Sequence, residues 1–269
     1  MLQRSKTLVI ERPEQLMKVS TRRDFLKVLG VGGAIVFLPA VFAACDDDSS
    51  TNPITGSSLS LNLSTDTGIL NYAYALEQLE AAFYTAVVAG AAFSGYTAEQ
   101  QEVLADIRNH EVIHREFFKA ALGSNAIPTL NLSSTVVAST MTNIATILKN
   151  AEMFEDLGVS AYNGAGKYLA SADYLTVAGK IVSVEARHAA TIRDMREALT
   201  SGAPTAVDGA GTRFADSTVI NAQGLDVKLE PSAVLGRVAS TGIVTDSISI
   251  GTPPSKAATT DAGPPSPTP

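Results

Sequence analysis

Glu185-Ala186-Arg187-His188 repeats the spacing of Glu111-Val112-Ile113-His114, and the reading of the whole chain turns on that repetition. Each Glu-x-x-His follows a Glu that has a Tyr seven residues further on. Glu77 and Tyr84 precede the first copy, and Glu155 and Tyr162 precede the second. In a helix, positions i and i+3 share a face, and i+7 returns to within about 20° of i. Two such halves folded against each other aim four carboxylates and two imidazoles at one interior point. That is the ligand set of a carboxylate-bridged pair of metal ions inside a four-helix bundle.

The residues around these motifs carry helical periodicity. Val103, Ile107, Glu111, His114, Phe118 and Ala121 recur at spacings of three and four, as an inward stripe does. Charged residues in the middle of such a stripe are costly unless they are paired or bound to metal. Val177, Ile181, Val184, Glu185, His188, Ile192, Met195 and Leu199 repeat the pattern, and Ile144, Leu148, Ala151, Glu155, Tyr162, Ala165 and Leu169 do so again. The spacing predicts helices over about 66–89, about 97–122, about 140–169 and from about 171 to 201. Thr97-Ala98-Glu99-Gln100 has capping-box spacing, Gly123 stops the second helix, and Ser171 is a cap for the fourth. Gly158, Gly164 and Gly166 weaken the third helix locally and leave room for a close neighbour or a bulge.

Composition bounds the rest. With 269 residues and 45% hydrophobic content the chain can bury a sizeable core, and its formal net charge of −7 offers no basic stripe for nucleic acid. The single cysteine, Cys45, excludes an internal disulfide and a zinc ribbon. Ahead of it, Ser20-Thr21-Arg22-Arg23-Asp24-Phe25-Leu26-Lys27 leads into a mild apolar run from Val28 to Phe42, too short for a comfortable span of about 20 residues. Paired arginines before such a run resemble a twin-arginine export signal. Val41-Phe42-Ala43-Ala44-Cys45 followed by Asp46-Asp47-Asp48 resembles a bacterial lipoprotein cleavage site, although Phe42 stands where Leu is usual. The resemblance implies a lipid on Cys45 as the first mature residue; ordinary cleavage after the Ala pair would leave a free periplasmic protein. Removing residues 1–44 takes away seven basic and three acidic residues, which makes the remainder more acidic.

The expected organisation is a signal peptide over 1–44, a flexible Ser/Thr/Asn-rich tether over 45–64 and an antiparallel four-helix bundle over 65–201. An irregular C-terminal extension follows over 202–250, with a short helix from Glu230-Pro231-Ser232 through Val238, and then a Pro-rich disordered tail over 251–269. The extension is expected to lie against the bundle. The fold class is all-α.

The runs Leu-Glu-Gln-Leu-Glu-Ala-Ala-Phe-Tyr (76–84), Phe-Glu-Asp-Leu-Gly-Val-Ser-Ala-Tyr (154–162) and Val-Glu-Ala-Arg-His-Ala-Ala (184–190) resemble ferritin-like domains, nearest to the bacterial branch related to plant desiccation-associated proteins. The resemblance covers residues 66–200, about half the chain. It implies Glu77, Glu111, His114, Glu155, Glu185 and His188 as ligands of two iron ions, with Glu111 and Glu185 bridging, and manganese or a mixed pair as alternatives. It also implies Tyr84 and Tyr162 as donors that orient carboxylates. Glu80 and Glu152 are the fallback ligands, and Glu80 is also a candidate hydrogen-bond partner of His110. The generic chemistry would be oxidation of Fe(II) or reduction of dioxygen or peroxide, in stress protection at the cell envelope. Membrane attachment would come through the N-terminal lipid only, and a homodimer is compatible with the sequence. A non-enzymatic reading stays open, in which the metal holds the helices together in stress or desiccation tolerance. His110-Glu111-Val112-Ile113-His114 also spells the zinc-protease motif, but that reading leaves Glu155, Glu185 and His188 without a role.

Overall fold

The computed structural model describes residues 57–201 and 219–253, so Arg22, Arg23 and Cys45 lie outside the described residues. In chain order the elements are strand β1 (Ser58–Leu61), helices α1 (Asp66–Ala89), α2 (Ala98–Leu122), α3 (Ser134–Thr140), α4 (Ile144–Ala165), α5 (Ala172–Ser201) and α6 (Pro231–Thr241), and strand β2 (Ser247–Ile250). The four long helices are α1, α2, α4 and α5.

Each long helix begins where a side chain can take an orphan backbone amide. The Thr65 hydroxyl accepts from the Gly68 amide, and the Asn143 side chain from that of Thr146. Thr97 and Gln100 form the reciprocal capping box that their spacing predicts. The Ser171 hydroxyl accepts from Tyr174 at the start of α5. Gly123 closes α2 with φ +54°, a backbone region that favours glycine. The third long helix is shorter than the expected 140–169. Asn143 sets its start, an unpredicted short helix α3 precedes it, and its last turn tightens into a 3-10 turn over Gly166–Tyr168.

Two antiparallel pairs, α1 with α2 and α4 with α5, make up the bundle. Residues at the start of α1 (Leu70, Ala73, Tyr74) pack with those at the end of α2 (Phe118, Leu122). Arg193 of α5 reaches back to Asp156 of α4. The pairs are joined by the crossover 123–143, which two amides of α1 hold in place. Asn71 bonds the Asn125 carbonyl and the Ile127 amide, and Gln78 bonds the Pro128 carbonyl and the Leu130 amide. The core runs through Tyr72, Leu76, Leu79 and Phe83 of α1, Leu148 and Phe154 of α4, and Ile192 of α5.

The described part of the C-terminal extension lies on this bundle. The Leu229 amide donates to the Ser160 carbonyl, and α6 buries Val234, Leu235 and Val238 in the core. Gly164 is what permits that approach: a Cβ there would lie 1.7 Å from the Leu229 carbonyl oxygen. The tether expected over 45–64 ends earlier than its composition suggests. Ser58–Leu61 pairs in parallel with Ser247–Ile250, Leu61 and Leu63 are buried, and Asp246 accepts from the amides of Ser57 and Asn131. The Ser-Leu-Ser-Leu run is too short to signal a strand by itself; its partner lies near the other end of the chain.

Glycine-to-alanine changes should therefore split by position. Gly164→Ala, in collision with backbone, should destabilise by about 1–3 kcal/mol. Gly179→Ala in α5, where nothing lies within 4 Å of the added carbon, should stabilise by about 0.5–1 kcal/mol. Urea denaturation midpoints would show the two signs.

Candidate metal centre

The six acids and histidines of the repeated motif meet in the middle of the bundle. Glu77 comes from α1, Glu111 and His114 from α2, Glu155 from α4, and Glu185 and His188 from α5. All six are buried, and the four glutamates show no exposure. Their atoms form two overlapping clusters within which no two ligand atoms are more than 4.8 Å apart: Glu77, Glu111, His114 and Glu185, and Glu111, Glu155, Glu185 and His188. Glu111 and Glu185 belong to both.

The two halves obey one scheme. His114 Nδ1 lies 2.8 Å from Glu185 Oε1, 3.5 Å from Glu77 Oε2 and 3.7 Å from Glu111 Oε2. His188 Nδ1 lies 2.8 Å from Glu111 Oε1 and 3.5 Å from both Glu155 Oε2 and Glu185 Oε2. Each shared carboxylate thus turns one oxygen to each imidazole. The outer oxygens are taken crosswise. Tyr84 of α1 donates to Glu155 Oε1 of α4 at 2.5 Å, and Tyr162 of α4 donates to Glu77 Oε1 of α1.

Close as these atoms are, their angles do not make hydrogen bonds. Glu77 Oε2, Glu155 Oε2, both oxygens of Glu111 and of Glu185, and Nδ1 of His114 and of His188 are buried without a hydrogen-bond partner. Leaving so many polar atoms unpaired inside an apolar bundle is prohibitive unless something else satisfies them. They sort into two sets of three oxygens and one nitrogen, a donor set suited to iron, manganese or zinc. The residues fit a pair of divalent metal ions.

Electrostatics follow from burial. Desolvation lifts Glu77 and Glu155 to about 8, with the neighbouring imidazoles offsetting only part of it. Burial also lifts Glu111, but the facing imidazoles of His114 and His188 bring it down to about 2. For the histidines burial opposes charge, yet the facing carboxylates override it and push His188 up to about 12 and His114 higher still.

The remaining sequence candidates fall into place differently. His110 does not partner Glu80. Its Nδ1 lies 2.9 Å from His188 Nε2, with the two rings stacked at 5.1 Å. It belongs to neither cluster, so the two histidines of His110-Glu111-x-x-His114 do not converge on one point as a zinc protease requires. Val184 occupies the matching position before His188, so nothing in the repeat announces the His110–His188 contact. Glu152 is not at the centre either. It pairs with Arg196 at 2.6 Å and lies 4.0 Å from Arg193, a bond on the outer side of α4 that its position three residues before Glu155 concealed. Glu80 is buried beside the centre but outside both clusters. A small apolar recess, partly open to solvent, lies beside Tyr162, the tyrosine that bonds Glu77, lined by Leu70, Leu76, Phe118, Tyr174 and Val177 among others. It is assembled from all four long helices and has no sequence signal.

A long crossover between two helical hairpins, with Glu…Tyr…Glu-x-x-His on each, defines the class of ferritin-like carboxylate bundles. Residues 65–198 match the family model of the ferritin-like domain, and this stretch of the chain is a ferritin-like domain. No curated protein matches the chain.

The shifted groups set a pH dependence for the metal-free protein. Glu77 and Glu155 hold protons to about 8 when folded but only to about 4.5 when unfolded, so the folded state binds more protons in that window. Stability must then fall as pH rises from 5 to 8, and the raised histidines act in the same direction above 6.5. Melting temperatures of metal-free protein should decline across this range, and Glu77→Gln with Glu155→Gln should flatten the decline. A rise in the parent would contradict the assignment.

Proposed function

We propose that this chain is a di-metal protein of the ferritin-like class, with two iron ions as its resident metals, that oxidises Fe(II) or reduces dioxygen or peroxide at the cell envelope. The observation that carries this reading is the set of eight buried, unpartnered ligand atoms on six residues. When bound, an iron pair supplies redox chemistry, two electrons at a time. The protein's own part is positional. Glu77, Glu111, His114 and Glu185 would hold one ion, and Glu111, Glu155, Glu185 and His188 the other. Tyr84 and Tyr162 fix the terminal carboxylates so that one oxygen of each faces inward, and the His110 ring fixes His188 from behind. The apolar walls keep bulk water away from the ligands.

A second reading has its own support: the six residues come from four different helices, so a metal pair would cross-link the bundle whatever else it does. Oxygen or peroxide consumption by iron-loaded protein separates the two readings, since a purely structural metal consumes neither. The principal test is metal analysis. Native protein should carry about two metal ions per chain. Glu185→Ala or His188→Ala should remove most of the metal, because each touches the shared part of the site, while His110→Ala should leave much of it. One zinc per chain, lost in His110→Ala together with casein cleavage, would make the protein a peptidase.

The envelope location rests on Arg22-Arg23 and on Cys45 as the sole cysteine. Replacing both arginines with Lys should retain precursor in the cytoplasm, and Cys45→Ala should release the protein from membranes. Fractionation identical to the parent in both variants would refute the export reading.

A further inference from the structure

The approximate twofold relation of the two halves maps Glu77 onto Glu155, Tyr84 onto Tyr162, Glu111 onto Glu185 and His114 onto His188. At one inward position it fails in a revealing way. Three residues after Glu77 stands Glu80; three residues after Glu155 stands Gly158. Because Tyr84 reaches Glu155 while Tyr162 reaches Glu77, α1 and α4 run antiparallel, and positions 80 and 158 fall at the same level midway between. They face each other: a Cβ on Gly158 would lie 2.9 Å from Glu80 Oε1 and 3.7 Å from its Cδ. The contact sits on the local twofold axis, where two glutamates would collide. The chain has one acid there and one cleared position.

Both choices are unfavourable taken alone. Glu80 is 4% exposed, and the small void beside it is otherwise lined by Leu76, Leu79, Phe154, Leu157 and Gly158. A leucine would fill this place without desolvating a carboxyl. A glycine in the middle of α4 loses helix propensity that an alanine would keep. Glu80 also feels the charges of Glu185, Glu111, Glu155 and Glu77, and its own charge bears on both Tyr84 and Tyr162. One turn along α1 from Glu77, and at the level midway between the two tyrosine–glutamate bonds, Glu80 borders the chamber that the four carboxylates line.

We propose that Glu80 is a seventh ligand residue of this centre, a carboxylate that binds the metal pair from the α1/α4 side, opposite the histidines on α2 and α5, with Gly158 as the clearance that admits it. The inference rests on the di-metal reading above. Four glutamates balance the charge of two divalent ions; a fifth lets the chamber hold a more positive pair without recruiting an outside anion.

Cobalt(II) is the probe, because its visible absorption strengthens as coordination number falls. The parent should take up two Co(II) per chain. Glu80→Gln should bind the weaker ion about 10- to 100-fold less tightly and absorb more strongly. Its metal-free melting temperature should be unchanged or higher, which a packing role would not produce. Gly158→Ala, which displaces the carboxyl while keeping it, should shift affinity and spectrum in the same direction. The double variant Glu80→Ala with Gly158→Ala supplies the reading should Glu80→Gln fail to fold. If the parent binds two Co(II) and the variants match its affinities and spectrum, the assignment of Glu80 is wrong and the pair stands. If the parent binds none, both fall.

Discussion

Six ionisable side chains buried in the middle of an apolar bundle are the constraint on which the structure depends. Each of the four glutamates is fully withdrawn from water, and eight of the ligand atoms lack any hydrogen-bond partner. Burial of that kind is tolerated when the groups share protons or a cation, and it is ruinous otherwise. The helices must therefore be held so that the groups stay convergent, since any one of them turned aside would leave an isolated charge in an apolar core.

That holding is done largely by crossed contacts. The two tyrosine–glutamate bonds tie α1 to α4 at both levels of the centre, and the shared carboxylates and imidazoles tie α2 to α5. Outside the centre, Asp156 and Glu152 of α4 pair with Arg193 and Arg196 of α5. Asn71 and Gln78 fasten the long crossover to α1. The crossover lets one hairpin lie against the other in the orientation that superposes their motifs. Site and topology are thus one arrangement.

The bundle was legible in the sequence because its signals are local. Helix periods, the Thr97–Gln100 capping box and the duplicated Glu-x-x-His each sit within a few residues of chain. The six residues at the centre were legible for the same reason. What escaped depends on partners far away in sequence. The strand at Ser58–Leu61 has its counterpart at Ser247–Ile250, and four alternating residues signal nothing without it. His110 and Glu80 both stand close to ligands in sequence, yet the His110 ring turns outward from the clusters to stack on His188. Glu152 has the same spacing from Glu155 as Glu80 has from Glu77, but in the opposite direction along the helix. That difference sends it to an arginine on the outer side instead of toward the centre. The glycines of α4 flagged a close neighbour without naming it; one makes room for Leu229 and another for Glu80.

The two short strands have a mechanical consequence. They run parallel, in register from Ser58 with Ser247 to Leu61 with Ile250, and β1 leads almost directly into α1. Tension applied ahead of Ser57 pulls β1 along its own axis, so the ladder bonds to β2 are loaded together in shear rather than opened one at a time. The force passes from β2 toward α6, which is packed on α4. A tug on the leading segment is spread over the outer shell of the domain before it reaches the helix that carries Glu77.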